Sequence, residues 1–266
     1  MKLSWLQVFK KLARLFGIPS RGYVTSRIVL RQYKDKIRSD SAYRQWVEEE
    51  APRWIANHWG HAIVSDELVL AHLTSQLYEL TEMIRRRIGP IGDTLILDAG
   101  ASDGLFLTRL DAERAVGANF RKVCATKIRS DGHSACLSDI EALPFADNTF
   151  DYVLCCETVE HVLNPISVID ELARVCRGKI VLTIPWLQET RINGRPKGWP
   201  EAETHIFEFC ESDFAKILSF AKVRVSYQDR VQVFPEPRNP LIQMCLRRWY
   251  YPSYFPKLQY YELEPS

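Results

Sequence analysis

The sequence predicts an α/β protein organised around a doubly wound sheet, and three observations carry that expectation. Residues 94–106, TLILDAGASDGLF, pass from an apolar run (Leu95, Ile96, Leu97) through Asp98 to small residues at alternate positions, Gly100, Ser102 and Gly104. Leu105, Phe106, Leu107 and Leu110 then recur at helix-like spacing. A buried strand, a tight turn and a helix start, in that order, form the nucleotide-site arrangement of doubly wound sheets. Downstream, strand-length apolar runs alternate with helix-length segments, as a parallel sheet requires. Finally, 46% of residues are hydrophobic and 26% charged, and no apolar run approaches the roughly 20 residues a membrane span needs.

Residues 3–16 read as an amphipathic helix. Trp5, Leu6, Val8, Phe9, Leu12, Ala13, Leu15 and Phe16 share one half of the wheel, and Lys10, Lys11 and Arg14 the other. Lysines interrupt its apolar stretch, so it is not a secretory signal. Residues 23–60 look helical and aromatic, with Tyr43, Trp46, Trp54 and Trp59. A long helix is expected from Ser65 to about residue 88, ended by Gly89 and Pro90. His58 and His61 have ligand spacing but no neighbouring Cys or His, so no metal is expected there.

The central strand and turn follow. The second strand is expected over 115–120 and a short helix over 121–131, with the third strand over 133–138. A fourth strand, 152–156, leads into Glu157, Thr158, Val159, Glu160 and His161. Asn164 and Pro165 start a helix, Pro occupying its first turn, and 179–184 makes the fifth strand. Residues 187–203 read as a long polar loop, which at that length is functional or mobile. A helix over 211–220 precedes two strands, 222–227 and 230–234, read as a hairpin. The remainder, 235–266, reads as an aromatic, Pro-rich tail that docks on something, since a free tail this apolar is unusual.

The turn does not fit G-x-G-x-x-G, the dinucleotide fingerprint. Its order, Asp98-x-Gly100-x-Ser102-x-Gly104, resembles the D-x-G-x-G-x-G turn of class I S-adenosylmethionine (SAM)-dependent methyltransferases, with Ser102 in place of the middle glycine. The resemblance strengthens at residues 139–151, "D-x-E-x-LPF-x-D-x-x-FD", which is similar to the commonest small-molecule branch of that family. Residues 157–162 resemble its "E-x-L-E-H-V", residues 172–178 its "L-A-R-V-L-R-x-G", and residues 205–209 its "H-x-x-E-F". These segments run from about 94 to 220, a span of nearly half the chain.

The resemblance implies a seven-stranded sheet in order 3-2-1-4-5-7-6, last strand antiparallel, with an N-terminal helical extension. It implies SAM as cofactor, held by Asp98, Gly100, Ala101, Ser102, Gly104, Asn119, Phe120, Asp139, Ile140 and Glu157. In the family, the acid matching Asp139 bonds the adenine amino group, and the residue matching Ile140 lies against the ring. Asn119, 21 residues after Asp98, falls where an acid ordinarily holds the ribose hydroxyls; its amide oxygen accepts hydrogen bonds but brings no charge. A hydroxyl acceptor needs a base, and His205, His161 and Glu157 are the candidates by position. No metal site is expected.

Domain boundaries are expected at 1–22 (basic amphipathic helix), 23–90 (helical lid or extension), 91–234 (SAM-binding domain) and 235–266 (tail). Residues 1–38 carry ten Lys/Arg against one acid, while the remaining 228 carry 25 bases against 32 acids. A basic arm on an acidic body suits an anionic surface, and residues 3–16 suit a lipid interface; a lid or homodimer helix is the competing account. Seven cysteines, none in C-x-x-C, point to a reducing, cytoplasmic setting. The expected function is methyl transfer, chiefly to oxygen, on a small-molecule, lipid-linked or glycan acceptor, without nucleic acid. The alternative is a non-catalytic methyltransferase fold acting as a SAM-binding assembly or interaction factor.

Overall fold

The structure, a computed structural model, describes residues 21–59, 67–187, 189–192, 205–234 and 257–266. The expected helix over 3–16, the Ser65 cap, the His58 and His61 side chains, most of the polar loop and residues 235–256 lie outside the described residues. The chain divides into two compact units. One comprises residues 1–78 and 233–256, the other residues 79–232 and 257–266, and the division falls inside a single helix.

In the first unit, helices α1 (Arg21–Ser39), α2 (Ser41–Gln45) and α3 (Ala51–Trp59) follow one another, with one π turn, Trp46–Glu50, before α3. The Asp40 carboxylate accepts from the Tyr43 amide at 2.9 Å, an N-cap that starts α2. Helix α4 (Glu67–Ile88) begins in this unit. Its Ser75 hydroxyl meets the Tyr43 hydroxyl at 2.5 Å, and the Trp46 indole N–H donates to the Thr74 carbonyl at 2.9 Å. Tyr43 and Trp46 are buried, and their polar ends are satisfied as buried polar groups must be.

The second unit is the sheet. Its strands are β1 (Ile96–Ala99), β2 (Ala115–Asn119), β3 (Ser134–Leu137), β4 (Phe150–Cys156), β5 (Cys176–Pro185), β8 (Val223–Gln232) and β9 (Lys257–Pro265). The spatial order is β3-β2-β1-β4-β5-β9-β8, with β9 antiparallel to both neighbours. Counted over the sheet alone, this is 3-2-1-4-5-7-6, as expected. A separate two-stranded ribbon pairs β6 (Arg191–Ile192) with β7 (Phe207–Glu208) and closes the base of the polar loop.

Successive residues of the central strands feed opposite cores. Leu97, Val153, Cys155, Ile180 and Leu182 pack with Val168, Ile169 and Leu172 of α7 (Pro165–Val175) and Phe214 and Leu218 of α8 (Glu211–Phe220). On the other face, Ile96, Leu154 and Val181 pack with Leu80 and Ile84 of α4, Leu107 of α5 (Leu105–Arg109) and Ile128 of α6 (Lys122–Ser130). Burial on both faces explains why these strands read as continuous apolar runs.

The C-terminal third corrects the sequence reading. Residues 222–234 are not a hairpin. They contribute one long strand, β8, and its antiparallel partner is β9, which the sequence reading assigned to the tail. The unit built on the sheet therefore includes residues 257–266 and the part of α4 from Glu79 on, rather than ending at residue 234.

Candidate active site

The carboxyl ends of β1, β2, β3 and β4 lie side by side and carry the expected cofactor residues. Asp98 belongs to β1 and is 1% exposed. Its Oδ2 is buried without a hydrogen-bond partner. Burial first, and the Asp103 charge second, push its pKa up to about 7. The amides of Gly100 and Ala101 both donate to the Ala118 carbonyl, at 2.9 and 3.1 Å, which folds the turn back onto β2. Gly100 has φ 86°, and a Cβ there would lie 2.4 Å from the Thr158 hydroxyl, so only glycine lets the turn approach the end of β4. Gly104, φ 87°, is N-cap of α5, and a Cβ there would press on Ile128 of α6. It serves close packing of the start of α5 on α6. Ser102 also has positive φ, 46°.

Asn119 ends β2, and its Oδ1 accepts from the Arg121 amide at 2.8 Å. Phe120 beside it is 64% exposed, a flat apolar surface at the mouth of the site. Asp139 is exposed and its Oδ1 accepts from the Glu141 amide at 3.0 Å, while Ile140 packs partly into the core. The unpartnered oxygen of Asp98 and the uncovered ring of Phe120 fit a ligand that brings a donor and a flat ring.

Glu157 follows β4 with φ 52° and accepts from the Thr183 hydroxyl at 3.0 Å. Desolvation raises its pKa to about 7, against the lowering effect of that hydrogen bond. A 3-10 turn, Val159–His161, then presents Glu160 and His161. His205 comes from the residue pair just before β7. Its segment is fastened to the turn by the Ile206 amide, which donates to the Glu160 carbonyl at 2.8 Å. The His161 and His205 rings meet edge to face, centroids 4.8 Å apart. His205 Nδ1 lies 3.2 Å from Glu208 Oε1, and its Nε2 lies 4.0 Å from Glu160 Oε1. The two histidine candidates thus meet, although 44 residues separate His161 from His205 in sequence, while Glu157 is bonded to Thr183.

Glu160 is the residue the sequence reading passed over. It is fully buried, both carboxylate oxygens lack a hydrogen-bond partner, and its pKa is raised by desolvation and by Glu157. Its sequence signal is its place as the second acid of the segment that resembles E-x-L-E-H-V, beside His161. The Arg230 guanidinium lies over the Trp186 ring, 5.4 Å from its centroid. Two surface depressions, one lined by Ile91, Asp93 and Glu113 and one by Asn148, Lys179 and Glu264, lie at the opposite, amino ends of the parallel strands.

Residues 97–182 match the family described as Methyltransferase domain. An uncharacterized protein of Methanocaldococcus jannaschii is 24% identical over 144 residues, which are 53% of this chain and 58% of that protein. The chain thus matches little more than half of that relative. Among solved structures, a SAM-dependent methyltransferase of Leishmania major aligns over 84% of this chain and 82% of its own, with TM-score 0.56 and 14% identity. The [4+2]-cyclase SpnF aligns over 74% and 83%, with TM-score 0.52 and 14% identity. These two likenesses show the fold. With the family match over residues 97–182, they support a class I SAM-dependent methyltransferase fold with SAM as cofactor. Among the described residues no helix is long and apolar enough to cross a membrane.

Proposed function

We propose that the protein transfers a methyl group from SAM to a hydroxyl oxygen of a small-molecule, lipid-linked or glycan acceptor. The observation that carries this reading is the convergence of Glu160, His161 and His205, with Glu208 behind His205. SAM supplies an already activated methyl on its sulfonium, so the protein's task is to align the acceptor and exclude water. A hydroxyl is a poor nucleophile until its proton is drawn away, and that is the task of this cluster. Glu208 holds the Nδ1 proton of His205 and leaves Nε2 as the basic nitrogen. Asp98, Phe120 and Asp139 stand ready for the cofactor, and the basic segment 1–38 favours acceptors at an anionic or lipid surface.

Incubation with methyl-labelled SAM and fractionated lipid, glycan and metabolite extracts tests the reading. Label is expected in a base-stable methyl ether, and His205→Asn is expected to lower its yield at least about 100-fold, the typical weight of a positioned acid–base group. Label recovered on nitrogen or sulfur overturns the oxygen assignment. Saturable SAM binding with no label transferred to any fraction favours a non-catalytic binding role instead.

A further inference from the structure

Glu160, His161 and His205 each offer one ligand atom, and these atoms lie within 4.8 Å of one another. Glu160 is fully buried, yet neither carboxylate oxygen has a hydrogen-bond partner. A carboxylate in that position is strongly unfavourable unless a cation completes it. Among the described residues, the basic nitrogen set against it, His205 Nε2, stands 4.0 Å away, beyond hydrogen-bond reach. Glu208 meanwhile accepts from the opposite ring nitrogen of His205, at 3.2 Å. That contact fixes the tautomer whose Nε2 carries a lone pair on the Glu160 side. A carboxylate behind a ligating histidine is the usual outer support of a metal-bound imidazole.

We propose that Glu160, His161 and His205 bind a divalent first-row transition-metal ion, with Glu208 orienting His205 from behind. Two imidazole nitrogens and one carboxylate oxygen are a nitrogen–oxygen donor set without thiolate, suited to zinc or manganese ions. With ligand bonds of about 2.0–2.2 Å, two ligands on one ion stand no more than about 4.4 Å apart. The Glu160–His205 pair already meets that limit, and a small rotation of the half-exposed His205 ring closes the rest. The backbone bond from Ile206 to Glu160 holds the two segments together without an ion. Three protein ligands leave coordination positions open, and His205, with 36% of its side chain exposed, marks the open side. An acceptor oxygen held there loses its proton more readily, because a bound divalent ion lowers the pKa of an oxygen ligand. This last role rests on the methyl-transfer reading, whereas the ion site itself does not.

The test uses the full chain, stripped with a chelator and titrated by calorimetry with zinc or manganese ions alone. Saturable binding of one ion is expected, with His205→Asn at least about 100-fold weaker and Glu208→Gln about 10-fold weaker. Glu160→Gln is expected to abolish binding. Binding of SAM, measured in parallel, is expected to survive in His205→Asn. Absence of saturable binding at millimolar metal overturns the ion site, as does equal affinity in His205→Asn, whose half-exposed ring makes misfolding no excuse. Metal binding without SAM binding leaves the ion site standing and removes the methyl-transfer reading instead.

Discussion

Asp98 is a carboxylate enclosed where water does not reach it, with one oxygen unpartnered and the Asp103 charge close by. The thiols of Cys155 and Cys156 on β4 also face it electrostatically, and burial keeps both in the neutral form. Its pKa in the folded protein is about 7, against an ordinary value of 3.8. Between those values the native chain keeps a proton that the unfolded chain has released. Stability of the ligand-free protein therefore falls as pH rises through that window, by at most about 1.4 kcal/mol per unit, and is level above it. SAM carries a sulfonium and an ammonium, and a cation near Asp98 favours its ionised form. Binding below neutrality must then expel a proton, so affinity is expected to climb as pH rises from about 5.5 to about 7.5 and then to level. Calorimetry in buffers of different ionisation heat reads the released proton directly, and Asp98→Asn is expected to remove both the release and the climb. SAM affinity that stays flat across this range in the unaltered protein refutes the assignment.

At the scale of elements, the 143–148 segment shows how a motif becomes structure. Arg174 on α7 donates to the carbonyls of Leu143 and Phe145, at 3.0 and 2.8 Å, and to Asp147 and Glu171, each at 2.7 Å. Glu171 in turn accepts from the Leu143 amide at 2.7 Å. The segment that follows Asp139 is thereby strapped to a helix buried against the sheet. Arg174→Met is expected to cost about 1–3 kcal/mol in urea unfolding, toward the lower end because water reaches the guanidinium. A change below about 0.5 kcal/mol, the level of an ordinary surface substitution, means that water replaces the strap and that the helix does not depend on it. Strands β1, β2, β4 and β5 were legible because they lie inside the sheet with both faces covered, which writes apolar runs into the sequence. β8 was not, because it is the sheet's edge and most of its residues are exposed. Its Gln228 and Asp229 look like a turn but stay within the strand. β9 hid among prolines and tyrosines, and its partner lies 24 residues upstream, so pairing of sequence neighbours misled. In the site, the glycine turn and the histidines could be read from spacing, but the burial of Glu160 could not, since burial is a property of the packed fold.

At the scale of the whole molecule, the charge is divided against the fold. Residues 1–38 hold ten basic residues and one acid, whereas the remainder, which contains the methyltransferase domain, has seven more acids than bases. Residues 3–16 add Trp5, Phe9, Leu12 and Phe16 opposite Lys10, Lys11 and Arg14. Each base near an anionic bilayer contributes roughly 1 kcal/mol, and burial of the apolar face contributes more, so the arm is suited to bring the domain to a lipid surface. The full chain is expected to sediment with vesicles containing anionic lipid and to be released by Phe9→Glu or by deletion of residues 1–16. High salt screens the charges but not the apolar face, so it is expected to weaken sedimentation only in part. A lid or dimer helix predicts a different pattern: the deletion then changes SAM affinity or the size of the particle in solution and leaves sedimentation unaltered. Full-length protein that ignores anionic vesicles, while the truncated form loses its SAM affinity or its dimer, assigns the arm to the protein itself and not to a membrane.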